Sequence, residues 1–93
     1  EELGVFAIVL ECIPADLARE ITSAVRVPTI GIGAGAGCDG QILVLQDLLG
    51  MNVDFRPKFA RPFLDGARCI GNAVANFHNA VVTGSFPGVE ESY

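Results

Sequence analysis

The stretch VFAIVLECIP, Val5 to Pro14, sets a carboxylate directly after six consecutive apolar residues. A carboxylate just past such a run is shielded from water on one side and open on the other. Ligands of α/β folds gather beyond the carboxyl ends of the strands, so Glu11 is the first candidate for chemistry. The local alternative is that it only caps or pairs with the helix that follows. Its neighbour Cys12 invites a nucleophile reading, but no histidine is near it in the sequence, and a small core residue is the simpler reading. The glycine-rich GIGAGAG, Gly31 to Gly37, lets the backbone turn sharply and approach a ligand closely, and could cradle an anion. It matches a dinucleotide fingerprint if Ala36 takes the last position. Against that reading, Asp39-Gly40 inserts a turn and a negative charge where a pyrophosphate would lie, and an irregular segment precedes Asp54, the residue near the spacing of a ribose-binding acid. Lys58 could neutralise a carboxylate or an enolate, although a lysine beside a proline is more often solvated. His78 is the single histidine, which leaves it without a partner for a metal site or a triad. Gln46 and Asp47 read most simply as facing solvent or a neighbouring subunit.

The elements that must position these residues follow from periodicity. An unbroken apolar run with no polar alternation predicts a strand of a parallel sheet, covered on both faces. Pro14 suits the first helical position. Leu17, Ile21, Ala24 and Val25 then form one apolar stripe of a helix that Val27-Pro28 stops. Thr29 to Ile32 is a second strand, which completes a βαβ unit of about thirty residues. Beyond the glycine loop, Asp39 is placed to cap a helix over Gln41–Leu49, with Ile42, Leu45 and Leu49 at helical spacing and Gly50 at its end; ILVL also reads as a short strand. A short third strand is expected around Lys58 and Phe59, between Pro57 and Pro62. From Asp65 a long helix carries Ile70, Val74, Phe77 and Val81 on one stripe and stops at Gly84. The order is that of three βα units, and three eighths of a (β/α)8 barrel of about 250 residues is about 94. The alternative is part of an open, doubly wound sheet.

The totals set limits. A chain of 93 residues that is 51% hydrophobic, with mean hydropathy +0.46, has more apolar surface than its own volume can bury. It is therefore expected to be a fragment, completed by more chain or by other subunits, and EELG at the start reads as the end of a helix. A net charge of −5 and six scattered Lys and Arg, of which only Arg56, Lys58 and Arg61 are close together, exclude nucleic acid as a partner. Cys12, Cys38 and Cys69 lie 26 and 31 residues apart, which fits neither a metal clip nor a disulfide framework. They point to a reducing compartment, cytoplasmic or, in a eukaryote, organellar. No apolar run approaches the roughly 20 residues that would span a bilayer, so no membrane partner is expected.

Six motifs stand in one order and register: LECIP (10–14), IGIGAG (30–35), DGQILV (39–44), QDLLG (46–50), PKF (57–59) and FPG (86–88). Together they resemble the ketopantoate hydroxymethyltransferase family over nearly the whole chain. Ile13 stands where valine is common, and Gln46 where histidine often precedes the aspartate. The resemblance implies the C-terminal part of a single (β/α)8 barrel of the phosphoenolpyruvate/pyruvate superfamily, spanning residues 1–93 here. It implies transfer of a hydroxymethyl group from 5,10-methylenetetrahydrofolate to 3-methyl-2-oxobutanoate, on the route to pantothenate and coenzyme A. Mg²⁺ is the implied cofactor, with its ligands on earlier strands and none among these residues. Glu11 corresponds to the family's base, and Gly33 and Gly35 are expected to shape one wall of the substrate or cofactor pocket, with a tight turn free of ligand contact as the alternative. A homo-oligomer is implied, and the isolated chain is expected to be inactive. The other readings are a carbon–carbon lyase acting on a 2-oxo acid in the same superfamily, and a non-catalytic binding or assembly module.

Overall fold

The computed structural model describes residues 1–93. Three strands, β1 (Ile8–Glu11), β2 (Thr29–Ile32) and β3 (Gly40–Gln41), form an all-parallel sheet in the order β1-β2-β3. Helix α1 (Ala15–Ala24) links the first two strands, α2 (Leu45–Leu48) is a single turn, α3 (Gly66–Val82) is long, and a 3₁₀ turn covers Val89–Glu91. The first unit is as the apolar pattern predicts, with Ile8 opposite Thr29 and Glu11 opposite Ile32.

The rest departs from the periodicity in instructive ways. The third strand is not at Lys58 and Phe59, which form a turn closed by the Ala60 N–H donating to the Pro57 carbonyl at 2.9 Å. Pro57 and Pro62 have no N–H to give a ladder at either end of that segment. The third strand is instead Gly40–Gln41, and Ile42 extends its ladder by donating to the Gly31 carbonyl at 3.0 Å. The helix expected over Gln41–Leu49 is accordingly cut to Leu45–Leu48, since Ile42 and Val44 are β-branched and Val44 is extended, at φ −61 and ψ 135. Only seven residues, 33–39, cross from β2 to β3, and they hold turns rather than a helix. The chain therefore does not make three complete βα units.

The core is small: Leu10 of β1, Ala18 of α1 and Ala34 of the glycine loop, with Ile8, Ile13, Ile21 and Cys38 packed against it. The buried side of α1 is Ala18, Ile21, Thr22 and Val25, one residue round from the expected stripe, and Leu17 is exposed. Ala18 is fully buried because its short side chain lets the helix lie close to the sheet. Thr22 belongs on the inner side because its hydroxyl reaches the Ala18 carbonyl and the Thr29 hydroxyl, each at 2.8 Å. Asp39, expected as a helix cap, instead closes this network. Its carboxylate accepts from the Thr29 N–H at 2.8 Å and its own N–H donates to the Thr29 hydroxyl at 3.3 Å, which ties the far end of the glycine loop to the start of β2.

Only one face of β1 is covered. Side chains alternate along a strand, so Leu10 is buried beneath α1 while Val9, 57% exposed, and Glu11 stand on the opposite face. α3 packs even less: Ile70, Val74, Phe77 and Val81 lie along it as expected, and all four are exposed, although the Phe77 ring meets that of Phe86 edge-on at 5.5 Å. The radius of gyration is 21.3 Å, where a compact chain of this length would have about 12 Å. Gly84 ends α3 as expected, at φ +75. Its N–H bonds to Val81 and that of Ser85 to Ala80, the paired bonds of a Schellman stop.

Candidate active site at the carboxyl edge of the sheet

Glu11 is the last residue of β1, and the parallel register puts it beside Ile32, the last residue of β2. Gly33 follows at once, so the carboxylate and the glycine loop leave the sheet on the same edge. Cys12 then takes a left-handed backbone, φ 52, while its N–H still donates to the Ile32 carbonyl at 2.9 Å. That turn carries the chain off the sheet edge and seats Ile13 against the core. The side chain of Cys12 is exposed rather than buried. Glu11 is exposed as well, against the expected partial shielding, because no element covers the Val9 face. Pro14 stands at the cap, one residue before the helix begins.

The two glycines expected to border a ligand have close neighbours of this chain. At Gly33 (φ +66) a Cβ would sit 2.8 Å from the Phe59 ring; at Gly35 (φ +76) it would sit 2.5 Å from the Ala15 Cβ at the start of α1. Gly33 thus lets the Phe59 ring come close against the loop, and Gly35 lets the loop touch the first turn of α1. The Gln41 amide, at the end of β3, donates to the Gly35 carbonyl at 2.9 Å and holds the loop in this shape.

Beside this loop is a cleft of about 470 Å³, whose lining includes Gly33, Gln41, Leu43, Phe59, Arg61 and Phe63. A recess of about 350 Å³, bounded by Gly35, Ala36 and Asp39, shares Gly33, Gln41 and Phe59 with it. Glu11 lines neither. A hollow of about 610 Å³ is on the charged outer side of α1, lined by Asp16, Arg19 and Glu20.

Segment 51–62 has no regular structure of its own but is pinned at both ends. The carbonyls of Leu48, Leu49 and Gly50 accept from the N–H groups of Phe63, Gly66 and Ala67 at 2.7, 2.9 and 3.0 Å. Orphan acceptors at the end of α2 thereby meet orphan donors at the start of α3. The contact is tight: a Cβ at Gly50 or Gly66 would fall 2.1 or 2.2 Å from a backbone carbonyl oxygen. Phe59 and Arg61 are delivered to the cleft by this closed excursion. Periodicity could not reveal them; the available signal was the alternation of basic and aromatic residues in PKFARPF. Lys58 and His78 are exposed and make no hydrogen bond or ion pair, Asp47 accepts from Asn52 at 2.7 Å, and Gln46 is exposed.

No three His, Cys, Asp or Glu side chains lie close enough to hold a metal ion, and Asp39 is already engaged by Thr29. These residues do not fit a Mg²⁺ site by themselves. No helix is long and apolar enough to cross a membrane.

The family model for ketopantoate hydroxymethyltransferase matches residues 1–89. Proteins named 3-methyl-2-oxobutanoate hydroxymethyltransferase are similar along the whole chain: 55% identical in Bdellovibrio bacteriovorus, 53% in Prosthecochloris aestuarii and 50% in Francisella tularensis. The chain spans 35%, 34% and 35% of their lengths, respectively.

Proposed function

Since the chain belongs to the ketopantoate hydroxymethyltransferase family, we propose that the protein carrying it makes ketopantoate, on the route to pantothenate, from 3-methyl-2-oxobutanoate and 5,10-methylenetetrahydrofolate, with Glu11 as the general base. The observation that carries the assignment is the position of Glu11. It ends β1 on the same edge as Gly33 and on the face that α1 leaves open, so a substrate entering over that edge meets a carboxylate on a rigid strand rather than on a loop.

In this reading the Glu11 carboxylate takes the proton from the carbon beside the oxo group, and the C–H electron pair becomes the double bond of the enolate. The methylene group leaves its carrier as a formaldehyde equivalent, with water supplying the oxygen. The enolate carbon forms the new C–C bond to it, and the resulting alkoxide takes up a proton. Mg²⁺, as implied by the family resemblance, would be held by residues outside these 93, and no step assigned to this chain passes through it. The glycine loop and Gln41 border the pocket, with Gly33 and Gly35 fixing its shape.

We also read the chain as the C-terminal portion of a (β/α)8 barrel. In support, the sheet is wholly parallel, its outer strands β1 and β3 each lack a second neighbour, and Val9 and Glu11 face away from the helical layer as barrel-interior residues do. The exposed stripe of α3 is consistent with burial against further chain or another subunit of a homo-oligomer.

The test is Glu11→Gln in the full-length enzyme, read by exchange of the substrate's α-proton with solvent and by substrate binding. Exchange should fall by about 100-fold or more while the oxo acid still binds. Exchange at the unsubstituted rate would refute Glu11 as the base.

A further inference from the structure

We infer that the cleft beside the glycine loop holds the one-carbon carrier, with the Arg61 guanidinium pairing with a carboxylate on the carrier's tail and Phe59 and Phe63 lining its flat rings. This rests on the reading that the donor is a reduced pteridine bearing an aromatic ring and a glutamate.

Three observations bring these groups together. The cleft is about 470 Å³, within the roughly 300–1,000 Å³ that takes ligands of drug size and far more than a small oxo acid fills. Its chemistry is divided: the walls are mainly apolar and aromatic, and Arg61 is the single charged residue lining it. The guanidinium is also free. The chain's two ion pairs are Arg19–Asp16 and Arg68–Asp65, and Arg61 instead lies 4.8 Å from the centre of the Phe63 ring. Stacking on an aromatic face restrains a guanidinium while leaving its N–H edge available to a carboxylate.

The small oxo acid also has a carboxylate, so charge alone does not choose between the two substrates. Position and shape do. Glu11, the proposed base, does not line this cleft, whereas the oxo acid must reach the base. An elongated carrier can lie along the cleft and present its one-carbon unit toward the edge of β1. Both ends of segment 51–62 are held by backbone hydrogen bonds, and Ala60 between Phe59 and Arg61 is buried with its N–H on the Pro57 carbonyl, which limits the backbone ordering that binding costs.

The experiment uses the full-length enzyme with Arg61→Gln and Arg61→Lys. Equilibrium binding of 5-formyltetrahydrofolate, a stable analogue of the carrier, and of 3-methyl-2-oxobutanoate is measured separately, together with the KM of each substrate. Arg61 is exposed, so both variants should keep the thermal midpoint of the parent. R61Q should weaken the analogue and raise the carrier KM by about tenfold or more, R61K should recover part of the loss, and oxo-acid binding should stay within about twofold. Weakened oxo-acid binding with the analogue unaffected would overturn the assignment, as would an R61Q variant that binds both like the parent. The underlying reading fails separately: an unsubstituted enzyme that binds the analogue through Arg61 but does not turn over refutes the reaction and leaves the cleft assignment standing.

Discussion

Two glycines of α3, five residues apart, should respond in opposite directions to the same substitution. Gly71 faces open space, and a Cβ there meets nothing within 4 Å. Gly71→Ala should therefore show the intrinsic helical preference alone, a gain of about 1 kcal/mol. Gly66 is the first residue of the helix, and its Cβ would lie 2.2 Å from the Leu49 carbonyl oxygen, the atom that its own N–H engages at 2.9 Å. That oxygen belongs to the backbone and cannot swing aside, so the start of α3 and the end of α2 must separate by about 1 Å to restore ordinary contact. Overpacking of this kind costs about 1–3 kcal/mol, and the strained hydrogen bond about 1 kcal/mol more. The propensity gain offsets part of this, leaving a net loss of about 1–3 kcal/mol. Urea unfolding of the two variants gives the numbers, and limited proteolysis adds a local readout, because separation of the pinned ends should expose the segment between Met51 and Pro62 to cleavage. Equal stabilisation by G66A and G71A would refute the claim that this backbone contact closes the excursion.

The remaining predictions concern a loop glycine, one network residue and one ion pair. Gly35→Ala should destabilise by about 2–4 kcal/mol, combining a positive φ with contact against Ala15; unfolding midpoints check this, and a changed KM with unchanged stability would mean that Gly35 answers to the ligand instead. Thr29→Val keeps the shape but removes the hydroxyl between Thr22 and Asp39, a loss of about 1–3 kcal/mol by denaturant unfolding. The Arg68 guanidinium, hydrogen-bonded to Asp65 at 2.7 Å, holds that carboxyl below its ordinary 3.8. Its small contribution to stability is therefore complete above pH 3.8 and is lost as pH falls through the depressed value. An NMR titration should show the low midpoint, with a return to the ordinary one in Arg68→Gln.

How far the sequence could be read depended on whether a residue answered to its own neighbours or to something distant along the chain. The first strand, its parallel partner and the stop at Gly84 are local statements: an apolar run, an X-Pro break, a residue without Cβ at a helix end. They appear in the structure almost as written. Periodicity misplaces the third strand because a two-residue strand has none to detect. Gly40–Gln41 is a strand only because β2 lies beside it, and the helical spacing of Ile42, Leu45 and Leu49 competed with that pairing until the Gly31 carbonyl claimed the Ile42 N–H. The stripe of α1 was displaced for a related reason. Hydrophobicity favoured Leu17 over Ala18, but closeness to the sheet rewards the smaller side chain, and Thr22 could be drawn inward because Thr29 supplies its partner.

The candidate site divides along the same line. Glu11 was legible because strand and carboxylate are adjacent in sequence. Arg61 and Phe59 were not, since their relevance comes from bonds between residues 48–50 and 63–67 that return a loop without periodicity to the edge of the sheet. Exposure alone would have dismissed all three. In a chain where Val9, Val74 and Phe77 are themselves 57%, 62% and 57% exposed, accessibility reports which faces remain uncovered and is a poor guide to chemistry. The better guide is convergence: a carboxylate on the rigid end of a strand, a glycine loop held by Gln41, and an aromatic and cationic segment returned to the same loop by a backbone clasp. Loosening that clasp through Gly66 should therefore disturb carrier binding more than proton exchange at Glu11, because Phe59 and Arg61 hang from the clasp and Glu11 does not.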